Sequence, residues 1–178
     1  MMKDELNHGI DFYIHNDFHI SAAPTAVFGD HVAIDKGFYC TTQLEVGDYV
    51  HVGPYVAIIG SKKSKFVLKD FSFVSVGTKI VAGSDDYNSN SLMGPLIPDE
   101  FKNLILTTVT FEKYSGCGAN CTIMPGVTMS EGSLLLAGSL LNKDTKPWTI
   151  YAGYPARAIG TREREKVYLQ EKQMRERK

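Results

Sequence analysis

The stretch Phe111–Leu141 decides the fold, because it repeats in steps of six residues: FEKYSG CGANCT IMPGVT MSEGSL LLAGSL L. An α-helix repeats about every 3.6 residues and a half-buried strand about every two, so neither has this period. The fifth residue of a step and the first residue of the next are two apart, which places both on the same side of a strand. The period therefore predicts a parallel β-helix, in which very short strands stack around a shared core. The first positions are Phe111, Cys117, Ile123, Met129, Leu135 and Leu141, and the fifth positions are Ser115, Cys121, Val127, Ser133 and Ser139.

The same period occurs earlier in the chain, where Gly-Asp pairs at the step boundaries favour tight corners. The segment Gly60–Lys65 interrupts the count and predicts a small basic loop at one corner. With three steps to a coil, the repeats predict about five to six coils. The earlier first positions are Phe28, Ile34, Cys40, Val46, Val52, Ile58, Leu68, Val74 and Ile80.

Several segments lie outside the repeat. We predict a single domain, residues 1–178, with an irregular N-terminal cap over 1–24, the β-helix over 25–146, an extended segment over 147–160 and a C-terminal helix over 161–178. The helix is predicted to be solvated, with Glu171 and Arg175 paired across one turn. Within the β-helix, residues 83–106 form an inserted loop that contains two prolines and several apolar residues. A long, apolar insertion in a regular solenoid is more typical of a functional loop than of a tolerated connection.

Composition narrows the classes of function. The net charge of −1 provides no overall basic surface for nucleic acid, and no apolar run is long enough to cross a bilayer. The N-terminus lacks the apolar core of a signal peptide. Three Cys, all at repeat positions expected to face the core, argue against a disulfide framework. We therefore expect a cytoplasmic protein that neither binds nucleic acid nor inserts into a membrane.

Five motifs near the C-terminus resemble those of the hexapeptide-repeat acyltransferases. They are IMPGVT from Ile123, LAGS from Leu136, NKD from Asn142, PWTI from Pro147 and AGYPAR from Ala152. This resemblance, and not the period itself, implies that the β-helix is left-handed. It also implies a homotrimer that holds acetyl-CoA, the co-substrate, between adjacent subunits.

The resemblance assigns residues to coenzyme binding. Ala119 and Ala137 fall where small corner residues of the family let the pantetheine approach. Asn142 and Lys143 match a pair near the pyrophosphate, and Arg157 matches a basic residue near the 3′-phosphate. Surface charge alone would also explain Lys143 and Arg157, but both lie inside matched motifs.

The general base departs from the family pattern. Many relatives carry a His in the loop after the coil, whereas Asp85 stands at that position here. An Asp has an unperturbed pKa of about 3.9 and is a weak base unless burial raises that value. His51, at a corner of an earlier coil, is the other candidate. We expect Asp86 and Tyr87 to contact the substrate.

The resemblance implies an acetyl-CoA-dependent acetyltransferase that modifies a sugar, either at a hydroxyl of a glycan precursor or at the amine of a nucleotide-linked amino sugar. No Ser-His-Asp set or Gly-x-Ser-x-Gly elbow is present, which favours direct attack on the thioester over an acyl-enzyme. The alternative is a non-catalytic scaffold of the same fold. We expect no metal, because the repeat region contains only His31 and His51, whereas zinc-dependent relatives use a set of His ligands.

Overall fold

The computed structural model describes residues 6–22 and 25–177, and within them the chain winds as a parallel β-helix. Three sheets form its faces, and each coil contributes one strand to each sheet. The first and third sheets have six strands each, which corresponds to six coils. The predicted all-β parallel architecture is confirmed, with the inserted loop and a single short C-terminal helix added to it.

The strands are short and are numbered in chain order. Sheet 1 contains β1 (Asn7–His8), β4 (Val27–Phe28), β7 (Gln43–Val46), β10 (Lys65–Leu68), β15 (Thr108–Phe111) and β18 (Thr128–Met129). Sheet 2 contains β2 (Tyr13–Ile14), β5 (Ala33–Ile34), β8 (His51–Val52), β11 (Phe73–Val74), β16 (Gly116–Cys117), β19 (Leu134–Leu135), β21 (Thr149–Gly153) and β22 (Ala156–Thr161). Sheet 3 contains β3 (Phe18–Ile20), β6 (Phe38–Cys40), β9 (Ala57–Ile59), β12 (Lys79–Val81), β17 (Thr122–Ile123) and β20 (Leu140–Leu141).

The core runs along the axis of the coils and consists of the first-position and fifth-position residues. Every predicted first-position residue is at most 3% exposed. In sheet 3, Ile58, Ile80 and Ile123 lie side by side on successive coils, so each apolar side chain covers the next. Burial of one such side chain stabilises a fold by about 1.5–3 kcal/mol. The repeat therefore places one buried row along each face.

An aspartate ladder stabilises the corner between sheets 1 and 2. Oδ1 of Asp30 accepts a hydrogen bond from the N–H of Ile10 at 2.9 Å, and Oδ1 of Asp48 accepts one from the N–H of Asp30 at 2.9 Å. Oδ1 of Asp70 continues the pattern with the N–H of Asp48 at 3.0 Å. Each carboxylate thus satisfies a backbone donor of the preceding coil, which explains the Gly-Asp pairs in the sequence.

Next to this ladder, aromatic side chains form a column on successive coils. Tyr49 and Phe71 stack with their ring centroids 4.8 Å apart, and Phe71 and Tyr114 follow at 5.6 Å. Trp148 continues the column at 5.8 Å from Tyr114. All four residues have positive φ, between 55° and 62°. These left-handed corner residues let the chain turn sharply while their rings pack along the corner.

The predicted irregular cap is wrong for residues 6–22, which form the first coil. Strands β1, β2 and β3 pair in parallel with β4, β5 and β6. The repeat is hard to recognise there because His8 stands at an inward position at the open end and stacks on Phe12 at 4.4 Å. Residues 1–5 and 23–24 of the predicted cap lie outside the described residues.

The C-terminal part differs from a simple extended segment. Strands β21 and β22 form an antiparallel hairpin on the edge of sheet 2, with a cis peptide between Tyr154 and Pro155. Helix α1 (Arg164–Glu176) follows and packs on the prism. The predicted ion pair within the helix is present, because Nε of Arg175 donates to Oε1 of Glu171 at 2.8 Å. The helix is also docked, since Nζ of Lys113 donates to both oxygens of Glu171 at 2.9 Å.

The inserted loop is folded against itself at one corner of the coils. Strand β13 (Gly83–Asp85) pairs antiparallel with β14 (Leu104–Leu106), and Asp99–Phe101 form a short 3₁₀ turn. Along the described part of the chain, no helix combines the length and apolar character needed to cross a bilayer.

Candidate active site

A cavity of about 580 Å³ lies between the inserted loop and the coil corner that carries the basic loop. Ligand cavities in proteins typically measure about 300–1,000 Å³, so this one has room for a sugar. Its lining combines apolar residues with a few polar groups, among them Ser61, Ser84, Asp85, Tyr87 and Lys102. The two interruptions of the repeat, residues 60–65 and 83–106, therefore meet at one site.

Asp85, the predicted base, lies in the wall of this cavity at the end of β13. Its Oδ2 accepts a hydrogen bond from the N–H of Gly94 at 3.2 Å. Its Oδ1 is buried and accepts no hydrogen bond from the described residues. Pairing of β13 with β14 fixes this strand, so the carboxylate is held at the cavity by a rigid element. One oxygen positions the group, and the other is enclosed by its surroundings without a hydrogen-bond partner among the described residues.

Tyr87 and Asp86, the two predicted substrate contacts, differ in their relation to the cavity. Tyr87 is 74% exposed and lines the cavity, and its hydroxyl accepts a hydrogen bond from Oγ of Ser84 at 3.3 Å. Asp86 instead stabilises the loop itself, because its Oδ1 accepts a hydrogen bond from the N–H of Asn88 at 3.0 Å. Its backbone N–H also bonds to the carbonyl of Asn103 at 2.9 Å. Asp86 is therefore a loop-stabilising residue beside the cavity.

His51 does not meet Asp85 within one chain. It lies on β8 in sheet 2, whereas the cavity adjoins sheet 3. Its Nε2 is 3.0 Å from Oδ2 of Asp35, and both side chains are substantially exposed. A carboxylate partner orients an imidazole ring. The two predicted bases thus occupy separate faces of the prism.

A second cavity, of about 270 Å³, brings together three of the predicted coenzyme residues. Asn142, Lys143 and Arg157 line it with Asp144 and Tyr151. The segment 142–144 follows β20, and Arg157 belongs to the β21–β22 hairpin that folds back beside it. Nη1 of Arg157 donates to the carbonyl of Ala156 at 2.9 Å. The amide and the two cations form a cluster suited to phosphate oxygens.

Ala119 and Ala137 lie at the other edge of sheet 3, at the corner that joins it to sheet 2. They occupy neighbouring coils, and the N–H of Gly138 donates to the carbonyl of Ala119 at 2.8 Å. A side chain at Gly118 would contact the backbone nitrogen of Ala137 at 2.7 Å, so this corner is closely packed. The two alanines do not line the cavity of Lys143 and Arg157.

The outer surface of sheet 3 connects the two cavities. Val81 lines the first cavity and Asn142 lines the second. Met124 lies between them, because β12, β17 and β20 are neighbours in this sheet. Adjacent strands are about 4.8 Å apart, so the cavities are separated by roughly 10 Å along this face. Motif spacing did not reveal this connection, which requires the register between coils.

The chain offers no accessible thiol for an acyl-enzyme. Cys40, Cys117 and Cys121 are each 0% exposed. Desolvation raises the pKa of the Cys117 thiol well above its usual value, whereas a hydrogen bond with Cys117 lowers the pKa of Cys121 to about 7; Cys121 is nevertheless inaccessible to a substrate because it is fully buried. Within residues 6–22 and 25–177, no cluster of three or more His, Cys, Asp or Glu residues could hold a metal ion.

Known proteins that are similar to this chain are named as acyltransferases or acetyltransferases. No family model matches the chain. The dTDP-4-amino-4,6-dideoxy-D-glucose acyltransferase of Escherichia coli is 28% identical over 147 residues, which cover 80% of this chain and 74% of that protein. The putative lipopolysaccharide biosynthesis O-acetyl transferase WbbJ of Escherichia coli K12 is 25% identical over 151 residues, with 83% and 74% covered.

Solved structures agree with these relatives. The N-acyltransferase AntD of Bacillus cereus, a mutant in complex with dTDP and coenzyme A, superposes with a TM-score of 0.90 at 27% identity, covering 99% of this chain and 98% of AntD. A hexapeptide-repeat acetyltransferase of Vibrio cholerae shares the fold, with a TM-score of 0.63 at 19% identity and coverage of 89% and 73%. The chain is thus similar to sugar acyltransferases and shares the fold of a hexapeptide-repeat acetyltransferase. In this acyltransferase two of the five motifs, NKD and AGYPAR, contribute residues to the second cavity, and the inserted loop forms much of the first.

The first cavity also contains a lysine that belongs to no recognisable sequence motif. Lys102 lines the cavity, and its side chain is 9% exposed. In the sequence it stands next to Phe101 as an ordinary loop lysine. Its burial arises only when the loop folds onto the coil corner.

Proposed function

We propose that this enzyme transfers an acyl group from acyl-CoA to the amine of a nucleotide-linked amino sugar. The relatives support this class of acceptor, because AntD has also been solved with dTDP-4-amino-4,6-dideoxyglucose and coenzyme A. Acetyl is the acyl group we favour, as the sequence motifs imply. WbbJ is named as an O-acetyl transferase, so a sugar hydroxyl is the competing acceptor.

The observation that carries the proposal is the Asp85 carboxylate in the wall of the first cavity, whose Oδ1 has no hydrogen-bond partner among the described residues. A substrate ammonium would satisfy this oxygen, and a neutral sugar hydroxyl would supply only a weaker hydrogen bond. An amine also has a neutral fraction near pH 7, so it can attack a thioester without a strong base. The weak basicity of an Asp is therefore compatible with an amine acceptor.

The reaction is direct transfer within one ternary complex. The bound ammonium first loses one proton to water, and the neutral amine nitrogen then attacks the thioester carbonyl carbon, so that the new C–N bond forms and the C–S bond breaks. The proton that nitrogen loses in this step passes to Asp85 and then to the departing thiolate, which leaves as free coenzyme A. No covalent acyl-enzyme forms, which agrees with the burial of all three Cys residues.

We assign the coenzyme to sheet 3. Lys143 and Arg157 would bind its phosphates in the second cavity, and Asn142 would donate to them. The pantetheine would follow the edge of the sheet from Asn142 past Met124 to Asp85, and Ala119 and Ala137, at the opposite edge, lie off this path. Tyr87 would contact the acceptor, and Asp86 would hold the loop in shape.

The assembly remains part of the proposal. We propose a homotrimer in which a neighbouring subunit completes the groove beside sheet 3. His51 would take part in catalysis only from such a neighbouring subunit, because it lies on another face of its own chain. We further propose that the enzyme acts in the cytoplasm, where acyl-CoA and nucleotide sugars are available.

Variants of AntD offer a further parallel. AntD has been solved with a single Asp replaced and with a single Ser replaced. The spacing between those two positions equals the spacing between Ser75 and Asp85 here, although Ser89 and Asp99 share it. Asp85 lines the acceptor cavity and Asp99 does not. We therefore include Ser75, at the corner between sheets 2 and 3, among the candidate site residues.

The proposal is tested by measuring thiol release from acetyl-CoA with a panel of acceptors. The panel contains dTDP-4-amino-4,6-dideoxyglucose, other nucleotide amino sugars and their non-amino counterparts. We expect release only with an amino sugar. Release with the hydroxyl counterparts at equal rate would refute the choice of an amine. Absence of release with every acceptor, and no thermal stabilisation by coenzyme A, would instead favour a scaffold.

A further inference from the structure

Lys102 lies in the wall of the acceptor cavity with a largely buried side chain, and the proposed reaction does not use it. Its side chain is 9% exposed, whereas those of Lys65, Lys69, Lys113 and Lys172, the other lysines in ion pairs of the described residues, are at least 35% exposed. Removing an ammonium from water is unfavourable unless anions or acceptors compensate for the lost hydration. The position therefore needs a compensating group.

The partner that the fold provides is a weak one. Nζ of Lys102 lies 3.2 Å from Oδ1 of Asp99, and Asp99 is 80% exposed. Ion pairs with a solvated carboxylate contribute little stability. Asp99 is the one carboxylate that pairs with Lys102 among the described residues, and an ammonium carries three donors. Lys102 can therefore accommodate a further anionic partner.

The cavity offers opposite charges at separate places. Asp85 and Lys102 both line it, yet they form no ion pair with each other among the described residues. Asp85 carries a carboxylate with one oxygen unpartnered among the described residues, and Lys102 carries an ammonium whose one ion-pair partner there is a solvated carboxylate. A ligand that carries both an amine and an anionic group would satisfy both. The basic loop adds positive potential on this side, since Lys62 directly follows Ser61 of the cavity wall.

We propose that Lys102 binds the diphosphate of a nucleotide-linked amino sugar while Asp85 binds its amine. This assignment rests on the proposed function, because it specifies how the same acceptor is held. A lysine acts on phosphate as a point charge and does not need a fixed geometry, which suits a side chain carried by a loop. Lys102 then selects acceptors that carry the nucleotide over free amino sugars.

The test measures binding of dTDP alone by titration calorimetry, without any acyl transfer. We expect Lys102→Gln to raise the Kd for dTDP about 10- to 100-fold, the range for a lost hydrogen bond to a charged group. Lys102→Arg should retain most of the affinity because it keeps the charge. The matched control is Lys63→Gln, an exposed lysine of the basic loop that does not line the cavity. It should change the Kd less than about threefold.

The affinity for coenzyme A, measured on the same variants, reports whether the fold is intact. Unchanged dTDP affinity in Lys102→Gln, or equal losses in Lys63→Gln, would overturn the assignment. If Lys102→Gln also loses coenzyme A binding, the dTDP affinity of Lys102→Arg is compared with that of the wild type. Retained dTDP affinity in Lys102→Arg supports the role of the charge, and lost affinity contradicts it. Acylation of the nucleotide-linked amino sugar by Lys102→Gln with an unchanged KM for that acceptor would refute this assignment and leave the proposed function standing.

Discussion

Asp85 combines a buried carboxylate oxygen that no described residue satisfies with a second oxygen anchored to the loop backbone. Leaving a buried acceptor unpaired is unfavourable by about 1–3 kcal/mol, so such groups are rare in folded proteins. A ligand amine would remove this cost on binding. Asp85 is therefore the residue on which the proposed chemistry depends.

Asp85→Asn keeps the shape of the side chain and removes its charge and basicity. We expect kcat to fall about 10²- to 10⁴-fold, the usual loss for a positioned base. His51→Ala is the comparison, because His51 lies on another face of the same chain. The kcat values of the two variants, measured at saturating acetyl-CoA, show which of the two residues acts as the base. A loss in His51→Ala alone would transfer the role to His51 of a neighbouring subunit.

Lys143 and Arg157 face the second cavity, and each should contribute to coenzyme affinity. We expect Lys143→Ala and Arg157→Ala to raise the KM for acetyl-CoA about tenfold. The Arg157 effect should shrink with a donor that lacks the 3′-phosphate. Lys146→Ala, at an exposed lysine outside the cavity, is the control and should leave the KM unchanged. Equal KM values in all three variants would exclude both residues from the coenzyme site.

Among the elements, the corner column of aromatic rings depends on a glycine. Gly132 has a φ of +67°, and a side chain there would collide with the Trp148 ring. Gly138 has a similar φ of +71° but has open space around it. The left-handed conformation should destabilise both Ala variants by about 1–2 kcal/mol. Only Gly132→Ala should lose a further 1–3 kcal/mol or so through overpacking.

Urea unfolding of the two glycine variants measures this difference directly. We expect Gly132→Ala to have the lower free energy of unfolding. Equal losses in both would show that the ring can move aside at no cost.

Helix α1 contacts the corner that carries the aromatic column through Glu171, Tyr168 and Arg175. Burial by itself would raise the pKa of Glu171. Hydrogen bonds from Lys113 and Arg175 outweigh burial and hold this pKa below its ordinary value. A depressed carboxyl pKa contributes stability above the unfolded value, about 4.3, and loses it as the pH falls through the folded value. The helix should therefore undock in acid.

Trp148 reports this undocking, because it is the single tryptophan and its ring lies 5.4 Å from Tyr168 of the helix. We expect its fluorescence to change below about pH 4 in the wild type. Glu171→Gln should show the undocked signal already at pH 7. Glu176→Gln, which removes an exposed carboxylate at the end of the helix, should behave as wild type. An acid transition unaffected by Glu171→Gln would contradict the role of this contact.

The sequence predicts the coils well and the loops poorly, for a physical reason. Inward positions such as Ile80 and Ile123 are determined by a local period and their burial follows from it. The first coil was missed because His8 occupies an inward position at the open end, where burial is not required. Lys102 was missed because its burial depends on contacts between segments far apart in the chain. The cluster of Asn142, Lys143 and Arg157 was predicted because motifs carry it.

For the whole molecule, the corner between sheets 2 and 3 exposes Tyr55, Val76 and Leu136. We expect a trimer that covers this corner, with a mass three times the 19.7 kDa of the chain by light scattering. Val76→Glu should dissociate it and weaken coenzyme A binding, because a charge would be buried. Leu96→Glu, on an exposed residue of the inserted loop, should leave the mass unchanged. A wild-type monomer with full activity would contradict the shared groove.

Transfer to an amine is tested most directly by the chemistry of the product. The enzyme is incubated with acetyl-CoA and dTDP-4-amino-4,6-dideoxyglucose, and the product mass is followed before and after treatment with neutral hydroxylamine, which cleaves esters but not amides. We predict a gain of one acetyl group that resists hydroxylamine and is formed much more slowly by Asp85→Asn. An acetyl group that hydroxylamine removes, or one formed equally fast by Asp85→Asn, would contradict amine acylation at the Asp85 cavity.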